Sequence, residues 1–460
     1  MTTVPVIAIF DIGKTNKKFF LINELYKIVL EQTTSFPETT DDDGDPCEDV
    51  VMLKKWVEDT LDEVLSVKKY DIRALNFSTY GASFVHIDHH GNVAAPLCNY
   101  LKAFPEDLKQ EFYSTHGGEA LIARQTASPV LGNLNSGMQL YRIKQRKPEL
   151  FNRIKYSLHL PQYLNHLISG NFYSDITSIG CHTQLWDFDK NDYHQWVYQE
   201  GIDKLLAPIF PSDKVDTVEI KGHKYSVGVG LHDSSAALIP YLANFAEPFV
   251  LISTGTWCIS LNPFNNAPLT DEELNKDCLC YMEYHGRPVK ASRLFAGNEH
   301  EQQTKRLAEH FNKPADYFKK VKYNPDFVSP ALIADTQVDD GKLLEQSAFG
   351  GRDLSAFQSY EEAYHALIAD IMQQQRASTQ LAIQDTQVKR IFVDGGFSKN
   401  PIYMNLLAKA FPFFEVYAAS VAQATAIGAA LAIHKYWNNK QLPADMIELK
   451  YYAVAQNIEM

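Results

Sequence analysis

Cysteine is scarce in this chain. Only six of its 460 residues are cysteines, and they form neither a C-x-x-C pair nor a spacing typical of zinc ligands. This pattern indicates reduced thiols of a cytoplasmic protein, most of them packing residues. The six are Cys47, Cys98, Cys181, Cys258, Cys278 and Cys280.

Long apolar runs and net positive charge are also missing. No apolar stretch reaches the length of a membrane span. The first apolar run starts at Val6 without a basic region ahead of it and breaks at Asp11, so we expect no signal peptide. A formal net charge of −13 repels nucleic acid and anionic lipid over most of the surface. We expect neither as a partner, and any anionic ligand must bind in a local pocket.

The chain has enough length for two domains, because 460 residues exceed one comfortable hydrophobic core. Strand-like and helix-like segments are mixed throughout, which predicts an α/β architecture. We expect the joint between the helix after Asp233 and the strand at Phe249, which gives domains at 1–245 and 246–460.

Helical spacing of apolar residues recurs along the chain, and Leu231 opens a further helix. Pro161 suits the first turn of its helix, and Gly428 is placed for close packing inside the last one. The predicted helices cover 48–67, 134–146, 158–168, 361–383 and 419–435.

The most informative segment is 6–23. An apolar run of strand length ends at Asp11, a short turn with one glycine and three lysines follows, and a second apolar run starts at Phe19. This predicts a hairpin whose tip offers backbone N–H groups, hydroxyls and ammonium groups to a polyphosphate and its metal ion. The tip resembles the end of a P-loop, but the first glycine would fall at Ala8 and a strand follows, so we reject that motif.

A second segment, 249–261, repeats this design as strand, Gly/Thr turn and strand. Two such hairpins in the two halves indicate a duplicated fold with a nucleotide between the halves. The alternative is two unrelated hairpins, since Gly-Thr turns are common.

Asp233 is the best candidate for a catalytic carboxylate. It follows the strand-like segment 225–230 where a helix begins, and open α/β sheets bind their ligands at the carboxyl ends of strands. A carboxylate there can take a proton from an alcohol, and His232 could orient the hydroxyl. The alternative is that Asp233 is only the N-cap of a helix over 234–241.

Two further sites carry chemistry. Asp11 could hold Mg²⁺ through water, because magnesium keeps part of its hydration shell. Gly395 and Gly396 follow an apolar strand and let the backbone approach a flat adenine or ribose, although a Gly-Gly pair is most often a plain turn. His300 and Glu301 do not form a zincin motif, so they stay surface or cleft residues.

These pieces, in this order, resemble the FGGY family of carbohydrate kinases, within the sugar kinase, Hsp70 and actin superfamily. The resemblance extends over nearly the whole chain and is strongest to the L-rhamnulose and L-fuculose kinase subgroup, on the Gly-Thr-Trp and His-Asp-Ser forms. The segments that carry it are 11–18, 78–84, 160–170, 175–178, 183–187, 230–237, 253–257 and 394–400.

The resemblance implies two ribonuclease H-like domains with a cleft between them. It implies ATP-dependent phosphorylation of a primary hydroxyl of a ketose, Asp233 as general base, and Asp11 and Asp233 as the residues that hold Mg²⁺ through water. The implied sugar contacts are Gly81, Ser83, Phe84, His232, Asp233 and Ser234. The implied ATP contacts are Lys14, Thr15, Asn16, Lys18, Gly255, Thr256, Gly395, Gly396 and Asn400.

The chain departs from the family pattern at its sugar-binding positions. The family's first phosphate motif usually closes with Arg, and here it closes with Lys18. The sugar loop usually reads Gly-Val-Asp, and here it reads Gly81-Ala82-Ser83. Arg-containing segments of the family are replaced at 100–104 and 293–298. The sugar therefore stays open among L-rhamnulose, L-fuculose, xylulose and other ketoses or polyols.

Two other functions remain as alternatives. One is a non-catalytic sensor that binds sugar or nucleotide, which the altered sugar loop would suit. The other is a chaperone-like ATPase, but the segment after Trp437 is too short for a peptide-binding domain. The expected ligands are ATP, Mg²⁺ and a small-molecule sugar. The sequence leaves the oligomeric state open, with a homodimer as one option.

Overall fold

The computed structural model describes residues 3–328 and 348–453. Within these ranges, no helix combines the length and the apolar composition that crossing a lipid bilayer requires. The strands are β1 Val4–Ile12, β2 Lys17–Asn23, β3 Ile28–Thr34, β4 Thr39–Thr40, β5 Pro46–Cys47, β6 Tyr70–Thr79, β7 Phe84–Asp88, β8 Ile154–His159, β9 Trp186–Asp187, β10 Asp192–Tyr193, β11 Val215–Ile220, β12 His223–Gly228, β13 Leu231–His232, β14 Phe249–Thr254, β15 Cys258–Asn262, β16 Cys278–Met282, β17 Pro288–Leu294, β18 Arg390–Gly395, β19 Glu415–Ser420 and β20 Glu448–Tyr452.

Helices connect these strands and cover the sheets. The α-helices are α1 Val50–Ser66, α2 Glu106–Thr115, α3 Glu119–Gln125, α4 Ser136–Arg146, α5 Pro148–Arg153, α6 Leu160–Ser169, α7 Ile176–Ile179, α8 Gln195–Gln199, α9 Asp233–Asn244, α10 Asp271–Asn275, α11 Ala296–His310, α12 Tyr360–Ile383, α13 Pro401–Ala410 and α14 Ala424–Ala432. Short 3-10 helices lie at Gly132–Leu134, Ile202–Leu205, Tyr317–Lys320, Pro325–Phe327, Phe349–Gly351, Leu354–Ala356, Phe397–Lys399 and His434–Tyr436.

Packing groups the described residues into two compact units. The first contains 3–244, 280–288 and 422–446. The second contains 245–279, 289–328, 348–421 and 447–453. The domain boundaries predicted from the sequence, 1–245 and 246–460, stay a prediction. The first packing unit also includes two segments that follow residue 245 in the sequence.

The first unit is built on a mixed sheet with the strand order β11-β12-β6-β1-β2-β3, and β13 pairs with β6. Strand β1 is antiparallel to β2 and parallel to β6. Its apolar run is fully buried because side chains of both faces meet packed neighbours. Phe10 packs against Phe19, Trp56 and Phe77 in the core on the α1 side. The hairpin predicted over 6–23 is thus present as β1 and β2.

The second unit repeats this arrangement in a sheet with the order β16-β17-β15-β14-β18-β19-β20. Strand β14 is antiparallel to β15 and parallel to β18, as β1 is to β2 and β6. The long helix α12 covers the sheet with buried residues such as Leu367, Ile368 and Ile371. The second predicted hairpin is therefore present, and each unit carries the same three-strand pattern.

The helix predicted over 419–435 is wrong at its start. Ala419 belongs to β19, where it pairs with Leu449 of β20, and the helix α14 begins only at Ala424. Gln423 between them has a left-handed backbone with a φ of 52°. Strand pairing with β18 and β20 thus overrides the helical preference of the alanines.

Two other helix boundaries shift for the same reason. Leu158 and His159, predicted as helical, end strand β8, which pairs with β7, and helix α6 starts at Leu160 with Pro161 in its first turn. Leu231 and His232 form the short strand β13 beside β6, so the following helix, α9, starts at Asp233. In both cases, hydrogen bonding to a strand distant in sequence places in a strand the residues that local periodicity assigns to the helix.

Gly428 has the packing role predicted for it. Helix α14 crosses α9 so closely that a Cβ atom on Gly428 would lie 1.8 Å from the carbonyl oxygen of Ala236. No side chain fits at that position without moving the two helices apart. The contact holds the C-terminal helix α14 against the helix that begins at Asp233.

We expect Gly428→Ala to destabilise the protein, although alanine is the better helix former. Overpacking a tight contact typically costs about 1–3 kcal/mol, which exceeds the gain of up to about 1 kcal/mol in helix propensity. Urea unfolding measures the free energy. Gly351→Ala is the control, because a Cβ there meets no atom within 4 Å. Equal stability of the two variants would contradict the tight contact.

Candidate active site

The carboxyl end of β6 brings the main candidate residues together. Ser78 pairs with Asp11 of β1 on one side and with Leu231 of β13 on the other. One step further along, Thr79 pairs with Ile12 and with His232. Because all three strands run parallel, Asp11 and the residue after His232 reach the same edge of the sheet. This is the edge where α/β sheets bind ligands.

Asp233 is the first residue of helix α9. Its Oδ1 accepts a hydrogen bond from the backbone N–H of Ser234 at 2.6 Å, the residue directly after it. An N-cap side chain instead accepts from the residue two or three positions further on. Burial raises the pKa of Asp233 to about 6, against which the bonds from Ser234 act more weakly. The carboxylate is therefore a better proton acceptor than an exposed aspartate.

Asp11 lies in a similar environment. Burial raises its pKa to about 6, and the charge of Asp233 acts in the same direction. The hydroxyl of Thr425, at the start of α14, donates to Asp11 Oδ2 at 2.6 Å, and Ser78 lies beside Asp11 as its partner in β6. The donors are all hard oxygens, the type that Mg²⁺ prefers, and a cation would relieve the repulsion between the two carboxylates. The residues present thus fit a magnesium ion.

The tip of the first hairpin holds the predicted phosphate-binding residues. Thr15 and Asn16 are exposed, and a bond from the N–H of Gly13 to the carbonyl of Asn16 closes the turn at 2.9 Å. Lys14 forms a partly exposed ion pair with Glu38. Lys18 donates to Gln423 Oε1 at 3.1 Å, so its ammonium group is oriented by the residue just before α14.

Lys17 is the lysine of this turn that the sequence analysis left without a role. Its ammonium group is 3% exposed, lies 2.8 Å from Glu48 Oε1, and donates to the carbonyl oxygens of Gly13 and Lys14. The hydroxyl of Tyr80 donates to Glu48 Oε2 at 2.5 Å. One buried ion pair thus ties the phosphate hairpin to the strand end before the sugar loop.

The predicted sugar loop is more buried than we expect for residues that contact a sugar. The space that a Cβ on Gly81 would take is filled by the ring of His232, whose atoms would lie 2.9 Å away. Ser83 and Phe84 are buried, and the ring of Phe84 stacks on His159 at 3.9 Å. Phe84 and Tyr80 are therefore core residues beneath the loop. A sugar contact by Phe84 stays a prediction that this burial does not support.

His232 is held in a defined orientation. Its backbone N–H donates to Thr177 Oγ1 at 2.9 Å, and its Nε2 lies 3.2 Å from Asp233 Oδ1. The hydroxyl of Thr177 donates in turn to Asp175, a buried N-cap. Burial lowers the pKa of His232 to about 4, so the imidazole is neutral at pH 7.

Buried amides fix the turn that carries Asp233. Asn76 in β6 accepts from the N–H of Gly230 at 3.1 Å and donates to the carbonyl of Ala429 at 2.8 Å. Gln162 and Asn165 of α6 donate to the carbonyls of Gly230 and Gly228, each at 2.9 Å. Each amide forms hydrogen bonds with backbone groups of the turn that have no partner in the sheet. These bonds hold Asp233 in a fixed position.

The second unit contains a cavity of about 570 Å³ beside its own strand turn. Gly255, Gly396 and Asn400, all predicted ATP contacts, are among the residues that line it, together with His300 and Tyr364. Thr256 and Gly395 are exposed in the same turns. This volume is in the range of small-molecule pockets and suits a ligand of nucleoside size.

The two glycines of the pair after β18 have different surroundings. A Cβ on Gly395 would lie 1.9 Å from the carbonyl oxygen of Thr254, and its φ of 90° is left-handed. Its missing side chain therefore allows β18 to lie close to β14. Gly396 has open space at its Cβ position and lies in the cavity wall. Of the pair, only Gly396 offers bare backbone to a ligand there.

A polar network organises this cavity. Asn400 caps α13, accepting from the N–H of Ile402 and Tyr403, and its Nδ2 donates to the hydroxyl of Tyr364 at 2.9 Å. That hydroxyl lies 2.9 Å from His300 Nε2. His300, which the sequence analysis left as a surface or cleft residue, is thus part of the cavity wall, and burial lowers its pKa to about 4.

Gln423, Thr425, Thr177 and Glu48 were not predicted as site residues. The first two contact Lys18 and Asp11 across more than 400 positions of sequence. The expected helix over 419–435 hid them as ordinary helical residues. The segment Gln423-Ala424-Thr425, with two polar residues ahead of an alanine run, was the available signal for a helix start.

Comparison with known proteins gives matches over both halves of the chain. The N-terminal domain of the FGGY family of carbohydrate kinases matches residues 6–231, and the C-terminal domain of FGGY carbohydrate kinases matches residues 246–441.

Curated relatives are more distant. L-Fuculokinase of Escherichia coli K12 is 25% identical over 283 residues, which cover 55% of either chain. Rhamnulokinase of Mannheimia succiniciproducens is 22% identical over 288 residues, 59% of this chain and 56% of its own. The chain thus spans only about half the length of the curated relatives that it matches.

Solved structures resemble the chain over its whole length. A carbohydrate kinase from Novosphingobium aromaticivorans has a TM-score of 0.78 and 22% identity, with coverage of 98% of this chain and 95% of its own. A ligand-bound xylulose kinase from Lactobacillus acidophilus has a TM-score of 0.76 and 15% identity, with coverage of 98% and 94%. At these identities the comparison shows the fold, two domains of the sugar kinase, Hsp70 and actin type.

We expect Lys17→Met to destabilise the protein strongly. The change leaves Glu48 buried without its cation, and breaking a buried pair typically costs about 3–5 kcal/mol. The double variant Lys17→Met/Glu48→Gln should recover part of this loss, because no charge is then left unpaired. Chemical unfolding of both variants measures the free energies.

The control for this prediction is Lys14→Met. Its pair with Glu38 is partly exposed, and such pairs contribute about 0–1 kcal/mol. A Lys17→Met variant as stable as Lys14→Met would show that the buried pair does not hold the hairpin.

Proposed function

Because this chain belongs to the FGGY family of carbohydrate kinases, we propose that it transfers the γ-phosphoryl group of ATP to a primary hydroxyl of a ketose sugar. Asp233 is the general base of this reaction. The observation that carries the assignment is its position at the carboxyl end of β6 and β13, with a pKa raised to about 6 by burial.

In the proposed step the sugar hydroxyl gives its proton to Asp233, and its oxygen bonds to the γ-phosphorus while the bond to the ADP oxygen breaks. A carboxylate with a pKa near 6 is mostly ionised at pH 7, yet it holds a proton better than an ordinary aspartate with a pKa of 3.8. Neutral His232, whose Nε2 lies 3.2 Å from Asp233 Oδ1, is placed to donate to the carboxylate and orient it.

The remaining residues bind the phosphates and the metal. Asp11, with Ser78 and Thr425 beside it, would hold Mg²⁺, which neutralises charge on the phosphate oxygens when it is bound. Lys18, oriented by Gln423, supplies a point charge where the family usually has the fork of an arginine. The nucleoside of ATP occupies the cavity of the second unit, whose lining includes Gly396 and Asn400.

For the sugar we propose a 6-deoxyketohexose, L-rhamnulose or L-fuculose. Two observations support this choice. The sequence motifs resemble those of the L-rhamnulose and L-fuculose kinase subgroup, and the curated relatives include an L-fuculokinase and a rhamnulokinase. Ser83 replaces a carboxylate of the usual sugar loop, so one charge-assisted contact to a sugar hydroxyl is lost. A sugar with a methyl group in place of one hydroxyl suits a less polar site.

We expect the rate of Asp233→Asn to fall by about 10²–10⁴ in kcat, because asparagine keeps the size of the side chain but cannot accept the proton. ADP release in a coupled assay measures kcat. Asp189→Asn, at an exposed position, is the control. A variant of Asp233 that keeps more than about a third of the wild-type kcat lies outside that range and would rule out the base.

The pH dependence has a definite sign. Wild-type kcat/KM should fall as the pH drops through about 6, because the base becomes protonated.

The raised pKa means that the folded state binds the proton more tightly than the unfolded chain, so ionisation of Asp233 lowers stability as the pH rises through 6. Asp233→Asn should therefore raise Tm at pH 8 but not at pH 3, and unfolding of the variant would favour a capping role instead.

A substrate panel tests the sugar. We expect higher kcat/KM with L-rhamnulose or L-fuculose than with xylulose, and little activity with glycerol, since a three-carbon polyol cannot reach both the sugar loop and Asp233. A higher kcat/KM with glycerol or xylulose would overturn the subgroup but leave a kinase. No ADP release with any ketose or polyol, together with nucleotide binding in calorimetry, would instead indicate a sensor.

A further inference from the structure

A cysteine and two histidines meet behind the candidate base. Ligand atoms of Cys181, His182 and His232 all lie within 4.8 Å of one another. Cys181 and His232 are buried, and His182 is partly buried. His232 Nε2 lies 3.3 Å from Cys181 Sγ and 3.2 Å from Asp233 Oδ1. The phosphoryl transfer proposed above needs neither Cys181 nor His182.

Two distances from His232 Nε2 are close to those of a tetrahedral metal site, whereas Asp233 lies outside the cluster of Cys181, His182 and His232. Zn²⁺ binds sulfur at about 2.3 Å and imidazole nitrogen or carboxylate oxygen at about 2.0–2.2 Å, so neighbouring ligand atoms are roughly 3.3–3.8 Å apart. The spacings from His232 Nε2 to the sulfur and to the oxygen, 3.3 Å and 3.2 Å, are close to this range. The third nitrogen needs only a small movement from within 4.8 Å.

The hydrogen bonds of the two imidazoles bear on which ring nitrogen of each can bind a metal. His182 Nδ1 lies 3.1 Å from the carbonyl oxygen of Leu134, and a proton on that nitrogen leaves the lone pair on Nε2. Among the described residues, His232 Nδ1 has no hydrogen-bond partner. No contact therefore fixes its tautomer, and the ring proton can move to Nδ1 when Nε2 binds an ion.

The loop that carries two of the ligands is rigid. His182 has a left-handed backbone with a φ of 40°, which surrounding contacts must maintain. Asn135 donates to the carbonyl of His182 at 2.7 Å, and Thr183 Oγ1 donates to the carbonyl of Ile179 at 2.5 Å. Ligands placed in advance on a rigid loop lose little conformational entropy when they bind an ion.

We propose that Cys181, His182 and His232 form a binding site for a soft divalent cation, best Zn²⁺, and that the bound ion inhibits the enzyme by drawing Asp233, which lies outside this cluster, towards it as a fourth ligand. Thiolate and imidazole select such ions, whereas the oxygen donors around Asp11 select Mg²⁺. The two sites therefore differ in every ligand except Asp233. The inhibition rests on the proposed function, and the binding does not.

The binding step balances without another reactant. The thiol of Cys181 loses its proton to solvent and forms the bond from sulfur to zinc, while the proton on His232 Nε2 moves to Nδ1. Asp233 Oδ1 gives up its 3.2 Å contact with His232 Nε2 and binds the ion. A carboxylate bound to zinc cannot accept the proton of a sugar hydroxyl, so phosphoryl transfer stops while the ion is bound.

Metal binding is tested on the full chain, reduced and stripped of metal. Competition with a chromophoric zinc chelator gives the affinity for Zn²⁺, and Co²⁺ gives the thiolate-to-cobalt charge-transfer band. We expect one ion per chain and that band in the wild type. Cys181→Ser should remove the band and weaken Zn²⁺ binding by about tenfold or more. Cys98→Ser, a buried cysteine bonded to Arg142, is the matched control and should change neither readout.

A second variant guards against misfolding of the first. His182→Asn keeps a residue that tolerates the left-handed backbone and removes an imidazole, so it should also weaken Zn²⁺ binding by about tenfold or more. Circular dichroism verifies the fold of each variant. Wild-type affinity for zinc in both Cys181→Ser and His182→Asn, or a cobalt complex without the thiolate band, would overturn the site.

Inhibition is measured at a fixed excess of Mg²⁺, with each variant normalised to its own rate without zinc. We expect Zn²⁺ to inhibit the wild type reversibly on chelation, and Cys181→Ser to need about tenfold more zinc or more for the same inhibition. Zinc binding without inhibition would refute the regulatory half of the proposal. Zinc binding by a protein that phosphorylates no sugar would refute the proposed function and leave the metal site in place.

Discussion

The candidate site depends on the parallel pairing of β6 with β1 on one side and β13 on the other. This register places Asp11 and His232, and with it Asp233, at one edge of the sheet. Asn76, buried inside β6, reinforces the register because its side-chain amide bonds to the turn at Gly230 and to helix α14. A slip of one residue in this strand would turn Asn76 and Ser78 to the opposite face and separate the two carboxylates.

Desolvation is the second constraint, and it acts against stability. Burial raises the pKa of Asp11, Asp233 and Asp175 to about 6 and lowers that of His232 and His159. The fold therefore holds several ionisable groups where their charged forms are disfavoured. Apolar residues in place of Asp11 and Asp233 would avoid this cost but could neither accept a proton nor hold a cation. Such strained environments are typical of catalytic sites.

The second unit repeats the strand pattern but uses it differently. Its hairpin turn packs against the glycine turn after β18, where Thr254 Oγ1 donates to the carbonyl of Asp394 at 2.5 Å and accepts from the N–H of Phe397. The result is a cavity lined by bare backbone and the network of His300, Tyr364 and Asn400. The same arrangement of three strands thus presents carboxylates in one unit and, in the other, a cavity whose lining also includes Lys319 and Lys399.

The sequence alone determined the two hairpins, the α/β class, the turn at Asp233 and the close packing at Gly428, because apolar periodicity, turn residues and glycines act over short distances along the chain. Tertiary structure decided the rest. Only long-range strand pairing moved the start of the helix expected over 419–435 to Ala424. The same change revealed Gln423 and Thr425 as partners of the first hairpin. Only packing buried Phe84 and brought Cys181 to 3.3 Å from His232, at a sequence separation of 51 that is not typical of metal ligands. Contacts of this kind depend on where distant segments meet in the fold, and no local pattern of residues encodes that meeting.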